Sequence, residues 1–406
     1  MLEETVKLEE KYVMPTFGRF PVEFVRGEGM WLYDDKGEKY LDFLAGIAVC
    51  SLGHSHPSLV NAIKDQASKL MHVSNYFYIE KRGQIASHIS DLLNFESDCA
   101  YEWKSFFTNS GAESNECALK IVRLGANQKY NNDGKHVKVV TLKNSFHGRT
   151  METLAATAQE KFHVGYAPMS VVFIEVDAND CEQLQTLFDQ SGDEICAMIV
   201  EPIQGESGIN PLDNEYMQLA RKLTSENDAF MICDEVQAGI FRTGYPFAFQ
   251  ASGIVPDIVT MAKGIGGGFP CGVCSARGAA AEVFSPGQHG STFGGNNLAC
   301  AAIDATLGEL DKPSVLTQIR EVGDYLKSEL TKLDQIEEVR GMGLMLGADV
   351  SSGINAKEVV KNALVEHKLV INATGEKTLR FVPPLIATKA DVDECIIRLQ
   401  RALASA

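Results

Sequence analysis

Two apolar runs in the middle of this chain end in residues that can do chemistry. Phe230-Met-Ile-Cys-Asp234 is followed by Glu235, Val236 and Gln237, and Asp257-Ile-Val-Thr-Met-Ala-Lys263 runs into Gly264-Ile-Gly-Gly-Gly268. An amine at a strand's carboxyl end, ahead of a glycine-rich turn, has a fixed origin and room to swing aside. That suits a nucleophile that forms and releases a Schiff base. A carboxylate at a neighbouring strand end can pair with a pyridine nitrogen and keep it protonated. Such a charge-assisted hydrogen bond is worth about 1.5–3 kcal/mol and makes the ring an electron sink. Together Asp234 and Lys263 point to pyridoxal phosphate. Each alone also has a plain explanation, because loops that follow apolar strands are solvated and often carry charge.

A phosphate needs its own cradle. Phe106-Phe-Thr-Asn109-Ser110-Gly111-Ala112-Glu113 passes from an apolar strand into a helix through small polar residues. Ser110 can cap that helix and donate its hydroxyl, while Gly111 and Ala112 leave backbone N–H groups open at the positive helix end. An ordinary N-cap would look the same. Nucleotide loops are a poor match: no Gly-x-x-x-x-Gly-Lys-Ser/Thr occurs, Gly264-Ile-Gly266 meets Phe269 where a third glycine is required, and Gly341-Met-Gly343 meets Leu346. A single phosphate is the simpler ligand.

These groups must be positioned by a scaffold. From about residue 57 to 297, helical patterns alternate with short apolar runs at Trp103–Phe107, Val137–Thr141, Val171–Ile174, Ala197–Val200, Phe230–Cys233 and Ile258–Met261. This predicts an α/β domain on a mostly parallel central sheet, with ligands beyond the strands' carboxyl ends. Before it, Gly29 to Phe43 alternates around an Asp-Asp-Lys-Gly turn, as a hairpin does. After it come a long helical stretch, the run Val339–Gly347, a strand-like Val370-Ile-Asn and a final amphipathic helix. The expected division is residues 1–56 and 298–406 as the two parts of a smaller α+β domain, with 57–297 as the large domain.

The chain has 406 residues, 45% hydrophobic and 22% charged, with a net charge of -17. Such acidity argues against a nucleic-acid surface, and no run approaches the ~20 apolar residues of a membrane span. Met1 to Glu10 lacks the basic and apolar regions of a signal peptide, so a cytoplasmic location is expected. Ten cysteines scattered through apolar segments read as buried free thiols. Cys271-Gly-Val-Cys274 has redox or metal spacing, but it lies in a strand-like run without a second pair. His54 and His56 lack a third ligand and read as turn and helix-start residues; no metal is expected.

The ordered motifs identify a family. Leu52-Gly-His-Ser-His-Pro57, Asn109-Ser-Gly111, Ser145-Phe-His-Gly-Arg149-Thr, Glu201-Pro-Ile-Gln-Gly-Glu206, Asp234-Glu-Val-Gln237, Ala262-Lys-Gly264, His289-Gly-Ser-Thr292-Phe-Gly-Gly-Asn296 and Leu379-Arg380-Phe-Val-Pro-Pro384 make the chain resemble, nearly end to end, the fold type I, class III pyridoxal-phosphate aminotransferases. The resemblance implies pyridoxal 5'-phosphate bound covalently at Lys263, its pyridine nitrogen on Asp234, Gln237 near its phenolic oxygen, Phe146 on its ring face, and its phosphate on Ser110, Gly111 and Ala112. Thr292 is implied to reach the phosphate of a neighbouring subunit, and so a homodimer with shared active sites. Substrate contacts are implied for Arg149, Glu206, Ser291 and Arg380.

The implied reaction moves the distal amine of N2-acetyl-L-ornithine to 2-oxoglutarate, giving N-acetylglutamate 5-semialdehyde and glutamate, a step of arginine biosynthesis. Arg149 would hold the far carboxylate of either substrate and Arg380 glutamate's α-carboxylate, since a guanidinium fork binds carboxylate bidentately. Glu206 would cover Arg380 when the donor's uncharged methylene is present. Structural salt bridges would use the same residue types. Succinylornithine, ornithine and 4-aminobutyrate share these motifs and remain alternative donors. A racemase would not need Glu206 and Arg380, and a noncatalytic regulator would have lost Lys263 or gained a DNA-binding segment. The chain departs from the usual pattern at Phe17, where a tyrosine is common, and at Ser207, Phe241 and Asn297. Asn75 and Tyr78 fit either a substrate entrance or an interface.

Overall fold

The computed structural model describes residues 2–405. Its centre is a seven-stranded sheet. From one edge the order is Trp103–Thr108, Gly272–Arg277, Ile258–Met261, Phe230–Asp234, Ile195–Val200, Lys138–Leu142 and Phe173–Val176. Only Gly272–Arg277 runs antiparallel to its neighbours. Each of the six apolar runs of the sequence overlaps a strand, with Val137, Val171 and Val172 falling just ahead of theirs, and the strand holding Cys274 inserts between the first and sixth. Ile195–Val200 is buried throughout, as a strand covered on both faces must be. The fold is α/β with a mostly parallel sheet.

The two ends of the chain share one smaller sheet, and the C-terminal part builds another. Trp31–Asp34 and Lys39–Asp42 form the expected hairpin, whose turn is fixed by Asp34 Oδ1 accepting from the Lys36 and Glu38 N–H groups. Leu369–Val370 then pairs in parallel with Lys39–Asp42. Val339–Gly347 is not one run. It folds back at Gly343 (φ 55°) so that Ile336–Met342 and Met345–Val350 pair antiparallel, and Thr378–Phe381, which carries Arg380, continues that sheet. Arg242, fully buried, ties the two regions together by donating to the Leu344 and Pro383 carbonyls.

All ten cysteines are free. Among the described residues no helix is long and apolar enough to cross a membrane. Phe241 has φ 66°. A side chain makes that conformation cost about 1–2 kcal/mol, and complete burial of the phenyl ring offsets it. Asn297 begins the helix Asn297–Leu310.

Glu235 sits under this scaffold with no exposed surface and accepts from the Ala248 and Phe249 N–H groups at 3.0 and 2.8 Å. Burial pushes its carboxyl up to about 7, against the pull of those two donors. An unfolded carboxyl near 4.5 releases its proton first, so stability falls as pH rises through that window. Glu235→Gln should remove this share. The stability difference between variant and wild type, from urea unfolding, should change by about 1.4 kcal/mol per pH unit between pH 5 and 7; a pH-independent difference would contradict the assignment.

Candidate active site

The carboxyl ends of the parallel strands open into one cavity of about 420 Å³. Its wall takes Asn109, Ser110, Gly111 and Ala112 from beyond Trp103–Thr108, Phe146 to Arg149 from beyond Lys138–Leu142, Glu201 from the end of Ile195–Val200, Asp234, Val236 and Gln237 from Phe230–Asp234, and Lys263 from beyond Ile258–Met261. Strand ends alone therefore bring together residues spread over more than a third of the chain.

At one end lies the start of the helix Gly111–Lys129. Ser110 Oγ accepts from the Glu113 N–H at 3.2 Å, which leaves its own proton available. Asn109 donates through its backbone N–H and its Nδ2 to Glu113 Oε2, at 2.7 and 2.8 Å. The first N–H groups of a helix have no partner inside it, so those of Gly111 and Ala112 are free to meet an anion. Gly111 has to be glycine: a Cβ there would stand 2.6 Å from Val236 Cγ1.

In the middle stands Asp234, 4% exposed. Its Oδ2 accepts from Asn115 Nδ2 at 2.7 Å and from His147 Nδ1 at 2.8 Å. Its Oδ1 accepts from the Val236 N–H at 3.0 Å and keeps a lone pair over. Asn115 is itself fixed, donating to the His147 carbonyl and accepting from Thr260 Oγ1 at 2.6 Å. Burial works against a charged His147 ring, but the hydrogen bond and charge of Asp234, with Glu201 behind it, outweigh burial and raise its pKa. Glu201 joins two loops, one oxygen accepting from the Phe146 N–H at 2.9 Å and the other from the Gly205 N–H at 3.3 Å. Its burial raises the carboxyl to about 7.

Lys263 has φ 46°, a left-handed conformation that a side chain resists and that is characteristic of functional sites. Among the described residues its amine takes no hydrogen bond or ion pair. Desolvation depresses its pKa, and the Arg380 cation adds to this, while the charges of Glu206, Asp234 and Glu201 oppose it. The result is an amine closer to neutral than a surface lysine.

Beyond Gln237 lies an ion pair. Arg380, 1% exposed, donates to Glu206 Oε1 at 2.6 Å, to Gln237 Oε1 at 3.2 Å and to the Gly205 carbonyl at 3.3 Å. Gln237 Nε2 donates to the same Glu206 oxygen at 3.2 Å, and Arg380 Nε to Asn372 at 3.0 Å. Burial works against the Glu206 charge, yet Arg380 and Lys263 hold its carboxyl below the usual range. Arg149 is the opposite case. It is exposed and, among the described residues, takes no hydrogen bond or ion pair; its guanidinium lies 3.9 Å from the Phe162 ring centroid and 5.4 Å from that of Phe146.

The sequence profile of the family described as "Aminotransferase class-III" matches residues 13–403. The chain belongs to the class-III aminotransferases. It is 47% identical to the acetylornithine aminotransferase of Caldanaerobacter subterraneus over 96% of this chain and 97% of that one, and 43% identical to that of Aquifex aeolicus over 97% and 100%. Among solved structures it is similar to ornithine aminotransferase from Toxoplasma gondii (TM-score 0.92, 29% identity, 100% and 95% of the two chains) and to acetylornithine aminotransferase from Elizabethkingia anophelis (TM-score 0.86, 30% identity, 100% and 99%).

Class-III aminotransferases depend on pyridoxal 5'-phosphate, and the cavity fits that group. A dianionic phosphate, a protonatable ring nitrogen and an aldehyde need an anion cradle, a carboxylate with a lone pair and an unpaired amine; the cavity has one of each. Four expected residues do not line the cavity: Glu206 and Arg380 form the pair beyond Gln237, and two lie farther out. Ser291 and Thr292 line a separate outer depression of about 360 Å³ with Glu113, His289 and Phe293. Asn109, whose Nδ2 donates to Ser291 Oγ at 3.2 Å, stands on the wall of both. Phe17 is 75% exposed and does not line the cavity, and Tyr78 is fully exposed. Asn75 donates to the Ser291 carbonyl at 2.7 Å. Ser207 Oγ donates to Gln204, and the side chain touches neither Glu206 nor Arg380 through a hydrogen bond. His54 pairs with Asp42 at 2.7 Å, and His56 precedes the helix Pro57–Lys69.

Sequence reasoning passed over Glu201, Asn115, His147 and Phe162. Glu201 carried the same signal as Asp234, an acid closing a buried strand. The others had none, because their roles come from packing across distant segments. One residue of the cradle is open to a direct test. Gly111→Ala should weaken pyridoxal phosphate binding by about tenfold or more, read from cofactor release on dilution; unchanged retention would remove the helix start from the phosphate site.

Proposed function

We propose that this class-III aminotransferase carries the distal amino group of N2-acetyl-L-ornithine to 2-oxoglutarate, forming N-acetylglutamate 5-semialdehyde and glutamate. The observation that carries the reading is the pairing of buried Arg380 with the half-buried Glu206 next to Gln237, together with the unpaired Lys263 and a second, free arginine, Arg149, on the cavity wall. A donor whose amine sits on a methylene and an acceptor whose keto carbon bears a carboxylate must use the same place. Arg380 covered by Glu206 suits the first, and Arg380 uncovered suits the second. The relatives named acetylornithine aminotransferase, at 40–47% identity over nearly the whole chain, support acetylornithine as donor. Free ornithine is the second reading, favoured by the Toxoplasma structure's TM-score.

The geometry supports the following residue roles. The bound cofactor supplies an electrophilic carbon and an electron-withdrawing ring. Ser110, Gly111 and Ala112 would hold its phosphate, Phe146 its ring face, Asp234 Oδ1 its pyridine nitrogen and Gln237 its phenolic side. Lys263 Nζ, held toward its neutral form by desolvation, accepts the proton from the substrate's amine-bearing carbon and returns it to complete the transfer. Arg149 presents its N–H fork to the far carboxylate of donor or acceptor. Arg380 releases Glu206 and takes the second carboxylate when glutamate or 2-oxoglutarate enters.

The assembly belongs to the same proposal. Tyr76 and Tyr78 are almost completely exposed, Phe77 and Phe293 more than half, and Thr292 lies beside them in the outer depression. An apolar face of this kind supports a homodimer in which Ser291 and Thr292 complete a partner's site. Ten free cysteines fit a reducing compartment, in keeping with the cytoplasm. The parallel pairing of Leu369–Val370 with Lys39–Asp42 supports a small domain drawn from residues 1–56 and 298–406 around the large domain 57–297.

The cofactor-loaded enzyme should be mixed with one amine donor at a time while the cofactor's visible absorbance is followed. Rapid conversion is expected with N-acetylornithine and slow conversion with succinylornithine, ornithine or 4-aminobutyrate; equal or faster conversion with any of these would replace the substrate. Lys263→Ala should retain cofactor noncovalently and lose at least about 10²–10⁴-fold in turnover, and near-normal turnover would overturn its role.

A further inference from the structure

An arginine that clamps a substrate carboxylate has to be held still by something other than a carboxylate. A permanent acidic partner would occupy the N–H fork that the substrate needs, and an unsupported guanidinium on a four-bond stem would lose its geometry to rotamer freedom. Arg380 meets this requirement with neutral acceptors, the Asn372 side chain, the Gly205 carbonyl and Gln237, alongside the removable Glu206. Arg149 has none: among the described residues it takes no hydrogen bond and no ion pair. What it does have is an aromatic face, the Phe162 ring, 3.9 Å from its guanidinium carbon. Stacking engages the π face of a planar cation and leaves all its in-plane N–H donors open.

We propose that Phe162 is a positioning residue that orients the Arg149 fork through its ring face and so sets affinity for the far carboxylate of both substrates. This rests on the carboxylate-clamp role given to Arg149 under the proposed function. The ring is well placed for such a task. Phe162 also meets Phe146 edge-on, with centroids 6.0 Å apart at 78°, so one side chain touches both the arginine and the phenyl group on the cavity wall. Its short helix, Glu160–His163, is braced on two sides. Gln159, just ahead of it, donates through Nε2 to the Ser145 carbonyl at 2.9 Å and the Asn144 carbonyl at 3.3 Å, which are the residues leading into Phe146. His163 Nε2 donates to the Leu154 carbonyl at 2.9 Å. Lys161 also approaches the Phe162 ring, at 4.8 Å, but its flexible, hydrated ammonium is farther off than the guanidinium.

The test compares Phe162→Leu, which keeps an apolar side chain without a π face, with Phe162→Tyr, which keeps the face. Single half-reactions of the cofactor-loaded enzyme are followed with N-acetylornithine, with glutamate and with 1-aminobutane, an amine that carries no carboxylate. The leucine variant should raise the apparent dissociation constants of N-acetylornithine and glutamate by about tenfold, equivalent to about 1.4 kcal/mol, with limiting rates within about threefold. Its 1-aminobutane reaction and melting temperature should match the wild type, and the tyrosine variant should restore carboxylate affinity. Should the leucine variant melt early, Phe162→Met carries the same comparison. Unchanged affinity for the carboxylated substrates, or a parallel loss with 1-aminobutane, would overturn the proposal. If the wild type converts glutamate but not N-acetylornithine, the donor assignment fails while the glutamate and 1-aminobutane arms still read the role of Phe162.

Discussion

Burying a guanidinium is costly unless its N–H groups are met, and Arg380, 1% exposed, is met by a carboxylate, Glu206, where the equally buried Arg242 is met only by backbone carbonyls. Removing one partner from a buried ion pair costs about 3–5 kcal/mol. When Glu206 leaves, that cost falls on Arg380 unless another carboxylate takes its place. The geometry makes that exchange local. Glu206 is more exposed than Arg380, the Gly205 backbone is held by Glu201, and Gln237 bonds to both members of the pair. The side chain of Glu206 can move while its turn stays anchored.

The same pair bears on the amine beside it. Lys263 is surrounded by three carboxylates that favour its charged form and by desolvation and Arg380, which disfavour it. Desolvation wins. Two of those carboxylates are already engaged: Asp234 with His147 and Asn115, Glu206 with Arg380. The third, Glu201, has its carboxyl raised to about 7 by burial, so near neutrality it is only partly charged. A lysine that must accept a proton is kept from taking one prematurely by giving the neighbouring acids other partners.

The backbone of this account could be read in the sequence where one short segment carried the whole signal. Asp234 and Lys263 each close an apolar strand, and Ser110-Gly111 opens a helix after one, so a parallel sheet puts all three at one edge without further information. Arg149, Glu206, Gln237 and Arg380 needed the family resemblance, because a charged residue between strands has many ordinary explanations. What stayed out of reach depends on contacts between distant segments. The fold-back of Val339–Gly347 at Gly343 looked like a single apolar run, since a hairpin turn without Asn-Gly or Asp-Gly lacks the usual mark. The stacking of Phe162 on Arg149 joins the short helix Glu160–His163 to a separate loop, an approach that no local pattern encodes. Thr292, exposed, takes no hydrogen bond among the described residues from which a role could be inferred.

The claim at the centre is that Glu206 neutralises Arg380 while the amine donor is bound and yields when glutamate enters. Glu206→Gln tests it, because the amide keeps the shape and a hydrogen bond but not the charge. The two half-reactions of this variant should be measured separately, by cofactor absorbance in stopped flow. The account predicts that efficiency with the amine donor falls by tenfold or more while efficiency with glutamate is maintained or rises, a shift in specificity toward the carboxylated carbon. An equal fall in both, or an unaffected donor half-reaction, would contradict it.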